Sequence, residues 1–316
     1  MMQVAVLAGP RRFELVDEPV SPLEPDEVLL RVGACGVCAS ELDMFTGLAG
    51  HATYPWYPGH EVSGVVERVG DAVAACSPGD AVAVWVTTRG FAEYLVVKEA
   101  YCFPAGDVPL ELALGEPLAC AVNAVSLADV SLGDDVVIIG AGFMGHLVHK
   151  LVELRGPRRV IVADTRSDAL KRAESFGATR IVDVTRESLD DVVTEATGGI
   201  GADVSFEVTG VQGPLTVVGD VTRMSGTVAI VGYHQGDPRS IPLAQWNWNA
   251  FRIVNAHFRD VGTILAGMRA GMRLLTSGRL SMDGLVTHRF PLSDIQAAFE
   301  AALDKPEGFV KATVTP

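Results

Sequence analysis

Basic residues and long apolar runs are scarce in this chain of 316 residues. Lys and Arg number 25 against 39 Asp and Glu, so the formal net charge is −14. Nucleic acids and anionic membranes bind proteins through a basic face, so this balance argues against both as partners. We expect no run long enough to span a membrane. Residues 1–7 lack the basic start and long apolar centre of a signal peptide, which predicts a cytoplasmic protein.

Cysteine is also infrequent, with Cys35, Cys38, Cys76, Cys102 and Cys120 at irregular spacing. An odd number of unevenly spaced cysteines does not suit a disulfide framework. It favours reduced thiols, with a metal ligand among them.

The chain length is typical of two domains.

The most informative motif is an apolar run at residues 136–139 followed by Gly140, Gly142 and Gly145. This is the spacing G-x-G-x-x-G, in which Phe143 and Met144 fill the last two variable positions. The glycines permit a tight turn and let a pyrophosphate approach the backbone N–H groups at a helix start. The motif therefore predicts a dinucleotide-binding turn.

An acidic residue after the next strand supports the same interpretation. Residues 160–163 are apolar and end at Asp164, where a carboxylate can bind a ribose 2′-hydroxyl and repel a 2′-phosphate. We therefore expect NAD, with NADP the less favoured cofactor. Arg166 is either a solvated loop charge or a partner for a 2′-phosphate.

The organisation of the chain changes near residue 123. From there, apolar strands alternate with helices in the pattern of a doubly wound parallel sheet of six strands, namely 136–139, 160–163, 180–184, 203–208, 227–232 and 252–257. Strand ends of such a sheet hold the nicotinamide, which predicts cofactor contacts at Val208, Thr209, Val231, Gly232 and Tyr233. We expect a β-rich domain at 1–122, a dinucleotide-binding domain at 123–259, and a segment at 260–316 that returns to the first domain.

A second set of residues has the chemistry of a metal site. Cys38, His60, Glu61 and Glu116 offer thiolate, imidazole and carboxylate groups, which are the ligand types of a catalytic zinc. Taken singly, each has an ordinary explanation, as a buried thiol, a loop histidine or an acid at a helix start.

Together with the dinucleotide motif, these residues resemble the zinc-dependent medium-chain dehydrogenase/reductase family, and within it the polyol and threonine dehydrogenases. The resemblance covers nearly the whole chain. It is carried by the segments 36–43, 59–61, 90–94, 116–118, 140–145, 176–178 and 287–292. It implies an α/β protein in which a GroES-like domain is joined to a Rossmann domain, with substrate in the cleft between them.

The resemblance also implies roles for individual residues. Cys38 and His60 would bind zinc, and Glu61 and Glu116 would be further ligands or partners of the zinc-bound water. Ser40 would contact the hydroxyl of the alcohol. Asp43 stands where the family often has His, and is either part of a proton relay or a solvated acid.

Two departures from the family pattern are informative. Glu41 stands where the family usually has Asp, which puts the outer proton route in question. Only nine residues separate Asp80 from Gly90, so the four-cysteine lobe that holds a second zinc in many members is absent. One catalytic zinc per chain is therefore expected.

The implied activity is reversible oxidation of a secondary alcohol to a ketone, with hydride passing to the nicotinamide. The partners would be a small alcohol or ketone and further copies of the chain, as a homodimer or homotetramer joined along residues 251–257. Three alternatives stay open: a zinc-free enone or quinone reductase of the same fold, a non-catalytic nucleotide-binding protein, and a redox pair at Cys35 and Cys38.

Overall fold

The computed structural model of the chain describes residues 1–49 and 52–316. It contains two compact units. The first comprises Met1–Ala119 together with Val261–Pro316, and the second comprises Cys120–Asp260.

The strands in chain order are β1 Met2–Gly9, β2 Arg12–Glu18, β3 Glu27–Gly36, β4 Glu61–Val69, β5 Ala81–Trp85, β6 Tyr94–Lys98, β7 Cys102–Pro104, β8 Asp135–Ile139, β9 Arg159–Asp164, β10 Arg180–Asp183, β11 Ala202–Glu207, β12 Thr222–Ile230, β13 Arg252–Asn255, β14 His288–Pro291 and β15 Ala312–Thr315. The helices are α1 Leu42–Thr46, α2 Gly115–Ala128, α3 Phe143–Glu153, α4 Ser167–Ser175, α5 Leu189–Thr197, α6 Gln212–Val217, α7 Leu243–Trp248, α8 Val261–Thr276 and α9 Ile295–Asp304.

The first unit is built on a sheet that joins strands β3–β7 to the late strands β14 and β15, and β1 and β2 form a separate two-stranded sheet. The order of the larger sheet is β14-β15-β3-β4-β5-β7, with β6 paired to β3. Strand β15 runs antiparallel to β3, with Val314 opposite Cys35. The core beside this sheet contains Phe45, Phe91 and Phe299, whose rings lie in tilted or edge contact. This sheet fixes the ends of β3 and β4, from which the metal-ligand candidates project.

The second unit contains the predicted sheet of six parallel strands, in the order β10-β9-β8-β11-β12-β13. Its central strand β8 is buried along its whole length, as expected for a parallel sheet covered by helices on both faces. The strand order reverses between β8 and β11, and ligands bind beside the carboxyl ends of strands at such a point. The predicted six-stranded parallel sheet is confirmed.

Some elements were not predicted. Strand β2 is partly exposed and pairs with β1. Charged residues interrupt its apolar ones, so it has no apolar run that sequence reasoning could detect. Strand β7 has three residues, too few for a periodic pattern. Strand β12 begins at Thr222, five residues before the predicted start, because its first part is irregular around Ser225 and Gly226.

One apolar stretch is longer than we expected from the sequence. Leu110–Ala128 spans 19 residues and is apolar enough to cross a membrane by length and composition. Half of it is buried inside the structure, including Leu118 and Ala124. This burial is typical of a core helix, because its apolar side chains already have protein neighbours.

Two buried histidines lie on α3. His146 and His149 are fully buried, and neither ring nitrogen of either residue has a hydrogen-bond partner in the described part of the chain. The ring of His146 packs against Phe176. Burial, aided by nearby positive charge, lowers the pKa of His146 to about 3, and burial lowers that of His149 to about 4. Nε2 of His149 lies 3.4 Å from Oε1 of Glu153, but burial still keeps the pKa low, so both rings are neutral at neutral pH.

This neutrality predicts acid sensitivity. Below pH 6.5 the unfolded chain binds protons at both histidines and the native chain does not, so the free energy of unfolding must fall as the pH falls. Between pH 7.5 and 5 the loss should be roughly 2–4 kcal/mol, since a pKa difference of one unit is worth about 1.4 kcal/mol. Urea unfolding at a series of pH values measures it. The double variant His146→Phe, His149→Leu should flatten the slope, and an unchanged slope would refute this explanation.

Candidate functional site

One cluster in the first unit has the composition of a metal site. Ligand atoms of Cys38, His60 and Glu61 all lie within 4.8 Å of one another, and no other such group occurs among residues 1–49 and 52–316. Zinc binds sulfur at about 2.3 Å and nitrogen or oxygen at about 2.0–2.2 Å, so its ligands lie about 3.3–3.8 Å apart. The donor atoms, all within 4.8 Å of one another, are therefore at most about 1 Å farther apart than zinc ligands.

The backbone places these donors where two strands of the sheet end. Cys38 follows β3, and Glu61 is the first residue of β4, with Gly36 and Glu61 opposite each other in the antiparallel ladder. His60 directly precedes β4. Because the ladder is fixed in register by buried apolar side chains, the three donors are held by the rigid part of the unit.

Glu41 orients the histidine. It is 2% exposed, and its Oε1 accepts the backbone N–H of Gly59 at 2.7 Å and lies 3.1 Å from Nδ1 of His60. A carboxylate on Nδ1 selects the tautomer in which Nε2 is available to a metal. Glu41 stands where the family usually has Asp, and its longer side chain reaches the His60 ring.

Lys311 balances the charge of the carboxylate. Its Nζ lies 2.7 Å from Oε1 and 2.6 Å from Oε2 of Glu61, and both side chains are buried. Burial opposes the charge on Lys311, but the Glu61 carboxylate outweighs it and raises the lysine pKa. Oε2 of Glu61 lies 2.6 Å from the Lys311 ammonium without hydrogen-bond geometry, so a metal ion bound here would share the carboxylate with the lysine.

The local charge also suits a cation. Burial alone would lower the pKa of His60, but the neighbouring Glu41 and Cys38 groups hold it well above its usual value. The Glu41 carboxylate, which favours a proton on this ring, also favours a cation nearby. Ligand types, spacing and charge therefore all fit a zinc ion.

The remaining candidates of the first unit are placed differently. Ser40 is exposed, and its hydroxyl donates to Sγ of Cys38 at 3.2 Å. Asp43 is half-buried on the first turn of α1. Glu116 is half-buried on the first turn of α2 and is not a member of the group of three donors. The geometry thus brings Ser40 to the metal ligand and leaves Glu116 outside the cluster.

Cys35 does not form a reactive pair with Cys38. Its side chain is 1% exposed within the apolar core of the sheet, and burial raises the pKa of its thiol well above the usual value. A buried thiol held in its protonated form is a poor nucleophile, so this environment argues against a redox Cys-x-x-Cys.

The turn after β8 in the second unit has the geometry of the dinucleotide motif. Gly140 has φ 109°, a conformation that favours glycine, and a Cβ on Gly145 would lie 1.8 Å from the carbonyl oxygen of Gly140. A Cβ built on Gly142 would meet nothing within 4 Å. Gly142 caps the start of α3, so open space adjoins N–H groups that can bind a pyrophosphate. Phe143 and Met144, both half-buried, form the first turn of that helix.

Asp164 ends β9 next to this turn. Its two carboxylate oxygens accept the backbone N–H of Ala141 at 2.6 Å and of Arg166 at 2.9 Å. The Arg166 guanidinium lies 3.8 Å from the same carboxylate. These bonds fix the carboxylate beside the turn, and each oxygen keeps a further lone pair for a ribose hydroxyl.

The predicted nicotinamide contacts follow β11 and β12. Val208, Thr209, Val231, Gly232 and Tyr233 all lie at the carboxyl ends of those strands, with Thr209 and Tyr233 exposed. Sequence reasoning noted Glu41 only as a departure from the family pattern, and it missed Lys311 and Glu207. Glu41 and Lys311 contact the metal-ligand candidates His60 and Glu61 in the first unit, whereas Glu207 ends β11 in the second. Only Glu41 had a sequence signal, since it lies within the motif of Cys38.

Comparison with known proteins agrees with this geometry. The alcohol dehydrogenase GroES-like domain matches residues 24–109, and the zinc-binding dehydrogenase domain matches residues 144–272. A sorbitol dehydrogenase of Bombyx mori is 30% identical over 336 residues, covering 94% of this chain and 94% of that protein.

Solved structures give the same result. The 2R,3R-butanediol dehydrogenase of Bacillus subtilis is 27% identical with a TM-score of 0.88, and both chains are fully covered. A zinc-binding dehydrogenase of Sinorhizobium meliloti 1021 bound to NADP is 26% identical with a TM-score of 0.87, covering 100% of this chain and 99% of that one. With the metal-type cluster of the first unit and the dinucleotide turn of the second, these matches show that the chain belongs to the zinc-dependent medium-chain dehydrogenase/reductase family, among its polyol dehydrogenases.

Proposed function

We propose that this protein interconverts a secondary alcohol of a small polyol and the corresponding ketone, with NAD as hydride acceptor and one zinc per chain. The observation that carries the proposal is the cluster of Cys38, His60 and Glu61, with His60 oriented by the buried Glu41. A zinc-free enone or quinone reductase would have no use for a thiolate, an imidazole and a carboxylate in this arrangement.

The substrates in the names of the related proteins support a polyol as the substrate class. Sorbitol and butanediol both carry hydroxyls on adjacent carbons, and those names belong to proteins that align with this chain over at least 94% of its length. Zinc in the cluster would supply a Lewis acid that lowers the pKa of an alcohol hydroxyl.

The residues of this chain then have distinct tasks. Cys38, His60 and Glu61 hold the ion, with Glu116 as a more distant partner. Ser40, beside Cys38, accepts the hydroxyl proton of the alcohol as it gives its own hydroxyl proton onward, and Asp43 accepts that proton and releases it to solvent. The bound nicotinamide supplies the hydride acceptor, and this chain holds it by the turn at Gly140, by Asp164, and by the backbone after β11 and β12.

A panel of polyols, simple alcohols and ketones tests this function. Each compound is assayed with NAD and with NADP, and nicotinamide absorbance reports the reduction or oxidation of the cofactor. We expect turnover with at least one polyol or its ketone. Tight NADH binding without turnover of any compound would favour a non-catalytic protein, and reduction of enones by metal-free protein would favour the reductase alternative.

We expect NAD to be preferred over NADP, because the Asp164 carboxylate repels a 2′-phosphate. Asp164→Ser should shift the ratio of kcat/KM values towards NADP by about 10- to 100-fold, the effect expected for one or two charge-assisted hydrogen bonds. Arg166→Gln is the matched control and should change the ratio less, since Arg166 pairs with Asp164. A wild-type protein with higher kcat/KM for NADP would overturn the assignment.

The outer edge of the second unit's sheet supports a homodimer or homotetramer. Strand β13 is the last in the order β10-β9-β8-β11-β12-β13, and Ile253 on it is 45% exposed. Edge strands with exposed apolar side chains pair readily with another chain. Light scattering at micromolar concentration should give at least twice 33.4 kDa. Ile253→Lys should reduce the mass and Leu132→Lys should not, whereas a wild-type monomer would contradict the proposal.

We also propose that the protein works in the cytoplasm. All five cysteines are free thiols, which suits a reducing compartment. Fractionation of the source cells tests the location, and recovery in a secreted or membrane fraction would refute it.

A further inference from the structure

A buried carboxylate lies at the end of β11. Glu207 is fully buried, and its Oε1 accepts the backbone N–H groups of Thr209 at 2.7 Å and Gly210 at 3.0 Å, together with the Thr209 hydroxyl. Thr209 and Gly210 together donate three hydrogen bonds to this one oxygen, and these bonds shape the turn that follows β11. The carboxylate is therefore part of the turn's construction.

The same residue binds the segment after β12. Its Oε2 lies 2.8 Å from Nε2 of His234. Its main-chain oxygen accepts the N–H groups of Val231 at 2.8 Å and Gly232 at 2.9 Å. Glu207 thus ties residues 208–210 to residues 231–234.

These two segments are in direct backbone contact. A Cβ on Gly232 would lie 2.2 Å from the nitrogen of Gly210 and 2.6 Å from Oε2 of Glu207. The carbonyl oxygen of Tyr233 would lie 2.7 Å from a Cβ on Gly210. Displacement of either segment must therefore move the other.

Arg239 determines which ring nitrogen of His234 carries the proton. Its Nε lies 3.4 Å from Nδ1 of His234, and its Nη2 donates to the carbonyl oxygen of Gln235 at 2.8 Å. Arginine can only donate, so Nδ1 of His234 must accept. Nε2 therefore carries the proton and donates it to Glu207.

We propose that Glu207 and His234 are positioning residues that hold the backbone after β11 and β12 in the shape that receives the nicotinamide half of the cofactor. This rests on the proposed cofactor site. The nicotinamide is expected beside these strand ends, whereas the adenosine half is held by the Gly140 turn and Asp164. Loss of the Glu207–His234 bond should therefore weaken binding of the nicotinamide half selectively.

The test compares two ligands, NADH and ADP-ribose, titrated into metal-free full-length protein. ADP-ribose has the adenosine, pyrophosphate and second ribose without the nicotinamide. For Glu207→Gln and His234→Asn, the Kd of NADH should rise about tenfold or more, the range seen when groups that orient ligands are removed. The Kd of ADP-ribose should change less than twofold, and the fluorescence of bound NADH should decrease.

Asp203→Asn is the matched control. Asp203 also lies on β11, but towards its amino end, where it pairs with Arg223. This variant weakens the same strand and should leave the NADH and ADP-ribose affinities in their wild-type ratio.

Each outcome decides one question. Equal weakening of both ligands would show a general structural role and refute the proposal, as would unchanged NADH affinity in both variants. If Glu207→Gln fails to fold, His234→Asn still tests the bond, because it leaves the other bonds of Glu207 in place. Failure of the wild-type protein to bind either ligand would refute the proposed function instead.

Discussion

Replacing Cys38 by Ser should remove bound zinc and reduce polyol oxidation by about 10³-fold or more, the rate equivalent of about 4 kcal/mol. Cys38 is the sole thiolate donor in the group with His60 and Glu61, and a serine hydroxyl is a weak zinc ligand at neutral pH. Elemental analysis should give one zinc per wild-type chain and less than about a tenth of that in the variant.

Cys35→Ala is the control for this prediction. Cys35 is the other cysteine of the Cys-x-x-Cys pair, but it is buried in the core, so its removal should cost some stability and leave zinc content and turnover intact. Equal loss of activity in both variants would support the redox pair. Two tightly bound zinc ions per wild-type chain would contradict the single site.

Replacing Ser40 by Ala should lower kcat by about 10² to 10⁴, the usual contribution of a positioned proton-transfer group. The Ser40 hydroxyl is the polar group next to Cys38, at 3.2 Å from its sulfur, and it is exposed to an incoming alcohol. Zinc content and NADH affinity should remain at wild-type values. A kinetic isotope effect with a deuterated alcohol shows whether hydride transfer limits the rate.

Two further variants complete the test of the relay. Ser40→Thr keeps the hydroxyl and should restore much of the rate. Asp43→Asn should slow oxidation most at low pH, where solvent base is scarce, and small added bases should partly restore it. If Ser40→Ala retains wild-type kcat while chemistry limits the rate and zinc is bound, the relay is wrong. If instead zinc is lost, the hydroxyl serves to hold the Cys38 thiolate.

The parts of this molecule that sequence alone predicted are those encoded by local patterns. The turn at Gly140 and the acid at Asp164 lie within one strand–helix–strand unit, so their spacing carries the geometry. The six strands of the second unit are short apolar runs between helices, which is why the sheet could be predicted before its strand order was known.

The supporting contacts could not be predicted, because their partners are distant in sequence. Lys311 reaches Glu61 across 250 residues, and His234 reaches Glu207 across 27. Neither lysine nor histidine has a local signal there, since the pairing depends on β15 joining β3 and on the adjacent ends of β11 and β12. The partners in a buried polar network are brought together by tertiary packing, so a short stretch of sequence does not reveal them.

The measurement that tests the central claim most directly is a zinc titration of metal-free protein with NAD and a polyol deuterated at the carbon that is oxidised. We predict that turnover rises in proportion to added zinc, reaches its maximum at one zinc per chain, and transfers the deuterium to the nicotinamide of NADH. Full turnover in the metal-free protein, or reduced cofactor without the deuterium, would contradict the account.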